Sequence, residues 1–403
     1  MLRHLLKLIW KRKSRNLMLT LEILLAFVLV FAIAAFAARS WQLYRMPLGF
    51  QHATVWAVTI QTGKDEAQKD DEPLRGQFRR VLEAMPEVEQ AAFTTFAPFQ
   101  NSDMRSTFQV PGGPTMPASF IEASDEAFSV LGMSLEAGDW YSAADDGAAA
   151  GAVVINRRFA EALFPGPDAV RAAVGKTFIT STSSSAEPER YRVRGVVEDY
   201  RRGGEFGTPS NFMFLRYSPS GTVHGLRTIL LRLKPDTPRA FEAALQRQLK
   251  GVRGNWSYTV APLSDLRASK HKMDMAPLMV LSVVGAFLLL MVAFGLFGVL
   301  WQNTTRRIPE IGLRRAVGAS AGDICRQIIA EQFLLSSVAM LAGLALLVQL
   351  PLTGALGASL DWPVFFVAAA LAMLIIYLLS LLCSLYPGWR ASRLSPTDAL
   401  HYE

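Results

Sequence analysis

This chain of 403 residues has only two cysteines, Cys325 and Cys383, and none between residues 39 and 276. A segment of that length without cysteine must stand on a buried core, because disulfide staples are excluded. Histidine is as sparse: His4, His52, His224, His271 and His401 are scattered, and none has a neighbour at metal-ligand spacing. The acidic group Asp65, Glu66, Asp70, Asp71 and Glu72 lacks the glycine turn and spacing of a calcium loop and reads as solvated charge. No serine sits in a nucleophile-elbow setting. Val174-Gly175-Lys176-Thr177 imitates a phosphate-binding loop, but Val170 and Arg171 stand where the earlier glycine is needed, and Phe178-Ile179 continues as a strand. With no catalytic or metal constellation, the chain reads as non-enzymatic, with no cofactor of its own.

What is present is apolar length. Half the residues are hydrophobic (51%), and four runs reach the roughly 20 residues a helix needs to cross a bilayer: 17–38, 277–301, 328–350 and 364–386. The fold class expected is therefore an α-helical membrane protein of one plus three spans, with a large α+β extracytoplasmic domain at 39–276. The formal charge of +7 is a topology signal, and nucleic acid is not among the partners expected. Arg3, Lys7, Lys11, Arg12, Lys13 and Arg15 fill residues 1–16. Arg306, Arg307, Arg314, Arg315 and Arg326 fill the 302–327 loop, and Arg390 and Arg393 fall in the 387–403 tail, whereas the loop from Pro351 to Pro363 carries only Asp361. Excess Lys and Arg mark the cytoplasmic side, which puts both termini and the 302–327 loop inside and residues 39–276 outside, with some attraction to anionic lipid. The first run is too long for a cleaved signal and reads as an anchor. Glu22 within it is either a polar contact to another helix or a side chain reaching water at the inner leaflet.

The outer segment alternates strands and helices. Strands are expected at 55–60, 153–155, 191–197 and 228–233, and helices at 77–85, 157–163 and 238–250. Connectors fall at 109–117 and 181–188. Two lobes are expected, with residues 118–222 inserted into the outer one.

The loop segment Arg306–Ser320 has the features of a short capped helix. Pro309 suits a first turn, and Glu310 and Arg314 are spaced to pair on one face. Ile308, Ile311 and Ala316 offer apolar contacts, Gly312 admits a close backbone, and Gly318-Ala319-Ser320 is a stop, with Asp323 capping the next helix. Docking to a partner and lying flat on lipid stay nearly level on these features alone.

The stretch Arg307-Ile308-Pro309-Glu310-Ile311-Gly312-Leu313-Arg314-Arg315-Ala316-Val317-Gly318-Ala319 resembles the signature of MacB/FtsX-type ABC transporter permeases. The tail from Tyr386 through Pro387, Arg390, Ala391, Arg393, Leu394, Pro396 and Asp398 to Leu400 is similar to that family's ending, with Gly388-Trp389 as a departure from its usual Ala-x. Phe128–Met133 with Ala137-Gly138, Val154–Asn156 through Leu163–Pro165, and Val174–Thr177 with Gly195–Val197 are similar to its periplasmic core domain.

The resemblance implies a permease subunit of an inner-membrane ABC complex. ATP and magnesium would be bound by a separate cytoplasmic ABC ATPase dimer, since no ATPase domain fits before residue 17. A second permease subunit, identical or homologous, and a periplasmic adaptor protein are the further partners it implies. Glu310, Ile311, Gly312, Arg314 and Arg315 would contact the ATPase, with Gly318 and Ala319 shaping the turn. ATP-driven movement of the outer domains, mechanotransmission, would serve export of antibiotics, peptides or lipoproteins. The alternative is an FtsX-like regulator of periplasmic cell-wall hydrolases.

Overall fold

The computed structural model describes residues 13–62, 72–181, 188–217 and 227–392, with backbone alone at 13–16, 72, 358 and 392. Arg3, Lys7, Lys11, Arg12, Asp65, Glu66, Asp70, Asp71, residues 182–187, His4, His224, His401 and the tail motif from Arg393 onward lie outside the described residues. The chain forms two units, one of residues 1–42 with 275–403 and one of residues 43–274.

Four helices contain the four apolar runs: Lys13–Tyr44, Leu263–Thr305, Ala321–Leu347 and Trp362–Ser392. All four are long and apolar enough to cross a membrane. The second begins 14 residues before Pro277, which lies inside it, because a helix satisfies its own backbone in water as well as in lipid and need not start where hydropathy rises. The first helix buries Leu19, Ile23, Phe27, Val30, Phe31 and Ala34, one stripe at helical spacing. This stripe packs with Ala339 and Met340 of the third helix and Ala368, Ala372 and Ile376 of the fourth. Small residues let the helices approach: a Cβ on Gly343 would stand 2.6 Å from the Phe27 ring. Hydroxyls tie the third helix to the fourth, Ser336 to Ser380 at 2.7 Å and Ser337 to Tyr377 at 2.8 Å. Glu22 resolves its alternatives in part: its carboxylate lies against Gly295 of the second helix, where a Cβ would come within 2.2 Å of it.

The second unit is built on strands β1 (Val55–Gln61), β2 (Val88–Thr94), β3 (Met104–Gln109), β4 (Met116–Ala123), β5 (Leu135–Gly138), β6 (Gly151–Asn156), β7 (Thr177–Thr180), β8 (Arg190–Val197), β9 (Phe212–Arg216), β10 (Thr228–Leu233) and β11 (Ser257–Pro262). In the first lobe β11, β1, β10 and β2 pair antiparallel in that order. Helices Glu72–Glu83 and Phe241–Val252 cover one face, where Trp56, Val58 and Ile60 meet Phe78, Leu82, Leu245 and Leu249. Val55, Ala57 and Leu230 point to the opposite face and a second core with Leu131, Tyr200 and Phe214, as period-two alternation in a central strand requires.

In the second lobe β4, β3, β7, β8, β6 and β9 pair in turn, and β9 returns parallel to β4, closing a ring. Phe108, Phe159, Phe178 and Tyr191 fill one side with edge-to-face contacts of 5.7–6.0 Å. The lobe starts earlier than the expected residue 118, because β3 pairs with both β4 and β7 and the 109–117 connector is a hairpin turn between β3 and β4, closed by Gly113 N–H to Val110 O at 2.8 Å. The phosphate-loop mimic is a turn into β7: Gly175 takes φ +81° and its N–H donates to Val193 O at 2.8 Å. Asn156, 1% exposed, pins helix Arg157–Leu163 by accepting from the Phe159 and Phe212 N–H groups and donating to Asp199 and Ser210 O.

Candidate functional site

Ile308–Ala316 is a helix with Pro309 in its first turn, where no partner for the missing N–H is needed. Glu310 stands near its N-terminus and Arg314 and Arg315 near its C-terminus, each complementing the helix dipole. The stop is made by Gly318 at φ +104°. Its N–H donates to Arg315 O at 3.1 Å and the Ala319 N–H to Arg314 O at 3.0 Å, the bond pair that closes a helix through one left-handed residue. The next helix is capped by Ser320, whose hydroxyl accepts from the Asp323 N–H. The Asp323 carboxylate reaches back to accept from the Ser320 hydroxyl and N–H. The cap expected at Asp323 is thus shared, with Ser320 in the cap position.

The structure separates the residues expected to act together. Glu310 and Arg314 pair at 2.6 Å, and Arg314 also donates to Gln327 at 2.8 Å. Ile311, 5% exposed, packs on Ile324 and Ala391 with Ala319 beside them, and Gly312 is buried. The side of the helix that carries Ile311 and Gly312 is thus buried against the chain's own third and fourth helices. Arg315 is half-buried and Gly318 is exposed.

The outward side carries Leu313 and Val317, to which the sequence alone assigns no role, and Ala316, which the structure parts from the buried Ile308 and Ile311. Leu313 is 60% exposed and Val317 83% exposed, and Pro309 and Ala316 are exposed beside them. The positions 309, 313, 316 and 317 form one stripe at helical spacing. The helix has two apolar stripes, and its own sequence does not say which is consumed by the chain.

Aromatic and basic groups gather at this end of the helices. Trp301 stacks on Tyr386 at 5.9 Å, and Arg390 lies over the Trp301 ring at 4.4 Å, the amphipathic grouping that belongs at a membrane–water boundary.

Comparison with known proteins gives two family matches, to the MacB-like periplasmic core domain over residues 17–248 and to the FtsX-like permease C-terminal domain over residues 282–396. The macrolide export ATP-binding/permease protein MacB of Escherichia coli (strain K12) is 26% identical over 357 residues, and that of Shigella flexneri likewise. Each alignment covers 86% of this chain and 52% of the relative, so the chain spans about half the length of these proteins. Among solved structures, the periplasmic region of MacB from Actinobacillus actinomycetemcomitans is 16% identical with a TM-score of 0.40, covering 57% of this chain and 97% of that one. A domain of a putative permease protein from Porphyromonas gingivalis is 18% identical with a TM-score of 0.35, covering 53% and 92%. With four helices long and apolar enough to cross a membrane and a large domain between the first and second, this chain belongs to the MacB-like periplasmic core domain family and carries an FtsX-like permease C-terminal domain.

Proposed function

We propose that the helix Ile308–Ala316 is the coupling helix through which a cytoplasmic ABC ATPase dimer drives this permease. The observation that carries the proposal is the outward stripe of Pro309, Leu313, Ala316 and Val317 on a loop otherwise rich in charge. A leucine and a valine this exposed, on a helix already anchored by its opposite side, form an apolar patch that a protein groove would bury. Exposed Arg306 and Arg326 beside it keep the loop on the cytoplasmic side, with both termini, and leave residues 39–276 outside. Family membership supports an ABC ATPase as the partner in general.

In this reading two permease subunits, identical or homologous, receive ATP-driven closure of the ATPases at the two stripes. The helices pass the movement to the periplasmic domains, and the work done there is export. The related proteins named for macrolide export make an antibiotic-like compound the first substrate class to assay. Glu310 and Arg314 act as braces of the helix, and Leu313 and Val317 as its contact.

The test is recovery of the ABC ATPase with the tagged full chain, co-expressed and purified in detergent, for the wild type and for Leu313→Asp with Val317→Asp. The double variant is expected to lose at least about tenfold of the bound ATPase at unchanged membrane insertion, the scale of a contact worth more than 1.4 kcal/mol. Full recovery of the ATPase would overturn the assignment and leave lipid as the occupant of the stripe.

A further inference from the structure

We infer that Glu331 is the positioning residue that locks the helix Ile308–Ala316 onto the third apolar helix. The inference rests on the coupling reading for its purpose but not for its test. One oxygen of the Glu331 carboxylate binds the Arg307 guanidinium at 2.6 Å and the other accepts from the Gln327 amide at 3.1 Å. The Gln327 carbonyl accepts from Arg314 at 2.8 Å, and Arg314 closes on Glu310 at 2.6 Å. Arg307 immediately precedes the helix and Arg314 lies in its last turn. Gln327 and Glu331 are one turn apart on one face of Ala321–Leu347, so a single face of the third helix grips both ends of the short one.

The chain of contacts is charge-balanced, two guanidiniums against two carboxylates, and it is partly dry: the Arg307 and Glu331 side chains are 20% and 17% exposed. A partly buried ion pair with charge-assisted bonds fixes geometry better than a solvated one, and removing one partner leaves the other uncompensated. Arg307, Glu310, Arg314, Gln327, Glu331 and Gln332 line one cavity of about 60 Å³. The Arg307 Nε and the carbonyl of Gln332, itself 1% exposed, have no protein partner. The surroundings of the latch are therefore polar, with room for water.

The apolar contact among Ile311, Ile324 and Ala391 supplies adhesion without direction. The Glu331 network adds register, because its bonds are directional and tolerate little displacement. A push on Leu313 and Val317 is then delivered to the third helix as a rigid shift instead of being absorbed by sliding.

The test is amide hydrogen exchange of residues 308–316 in the full-length protein in lipid nanodiscs. Glu331→Ala is expected to speed exchange across this segment about tenfold, as local opening becomes easier. The charge-exchanged pair Arg307→Glu with Glu331→Arg is expected to restore protection to within about threefold of wild type. Exchange within about twofold of wild type in Glu331→Ala overturns the latch. Where Glu331→Ala fails to insert, the charge-exchanged variant decides: protection supports the latch, and its loss overturns it. Normal ATPase recovery with Leu313→Asp and Val317→Asp would sink the coupling reading without touching this result.

Discussion

The Arg201 guanidinium donates to the main-chain carbonyl of Leu43 at 2.9 Å from a position only 4% exposed. The same group donates to the carbonyls of Met46 at 2.8 Å and Gly207 at 3.0 Å, and to that of Glu205. The Glu205 carboxylate in turn faces Arg267 and, at 3.4 Å, His271. A planar five-donor fork can serve four carbonyls at once, and an ammonium with three donors at a single point cannot. Arg201→Lys is therefore expected to destabilise the unit of residues 43–274 by about 2–3 kcal/mol, the cost of leaving buried polar groups unpaired. Thermal unfolding of the solubilised full chain checks this, and an unchanged midpoint would sink it.

The same region has a pH response with a definite sign. Burial lowers the pKa of His52, the Arg267 cation lowers it further, and Glu205 opposes them. The unfolded chain titrates near the ordinary value of about 6.5. Above that value both states are neutral and the stability from this site is fully present. As pH falls below it the unfolded state takes up a proton that the folded site resists, so stability is lost down to the lowered folded pKa. The unfolding midpoint of wild type should drop between about pH 7.5 and pH 5 more steeply than that of His52→Gln. Parallel curves for the two proteins would refute the assignment.

How much of this was legible in the sequence depends on whether a feature is local. The four apolar runs are visible because bilayer-length hydropathy needs no partner. Strands β1 and β10 are visible because Val55–Ile60 and Thr228–Leu233 are β-rich segments, buried as central strands. Strand β3 is not, because Arg105, Ser106 and Thr107 carry no strong pattern and its place follows from closure of the ring through β4 and β7. At the candidate site the Glu310–Arg314 spacing is local and legible, but the Arg307–Glu331 pair spans 24 residues and exists only once the helices pack. Gly388, a departure from the family ending, makes sense only against Cys325, whose sulfur would stand 3.2 Å from a Cβ there.

Gly318 can be tested apart from packing, because a Cβ there would meet nothing within 4 Å while φ stands at +104°. Only backbone strain is at stake. Gly318→Ala should cost about 1 kcal/mol, and Gly318→Val more, because β-branching tolerates positive φ least. Amide exchange at Gly318 and Ala319, whose N–H groups close the turn, should rise about fivefold for Ala. Equal exchange in the glycine, alanine and valine proteins would show that the turn is held by something other than this backbone conformation.

Packing of the first helix on the third makes the opposite kind of prediction, in which space decides. The Phe27 ring is fully buried, and the Cβ of an alanine at 343 would stand 2.6 Å from its Cδ1 and 3.1 Å from its Cε1. A ring edge held on all sides cannot swing away as a flexible chain end would, so the helices must part or the ring must leave its rotamer. Gly343→Ala should therefore destabilise the helical unit by about 1–3 kcal/mol. Phe27→Leu alone should also destabilise it, by removing buried ring atoms. The two together should cost less than the sum of the singles, because the smaller side chain vacates the volume that the new methyl requires. A double-mutant cycle on thermal unfolding in detergent reads the difference, and strict additivity would mean that the two helices do not meet at this pair.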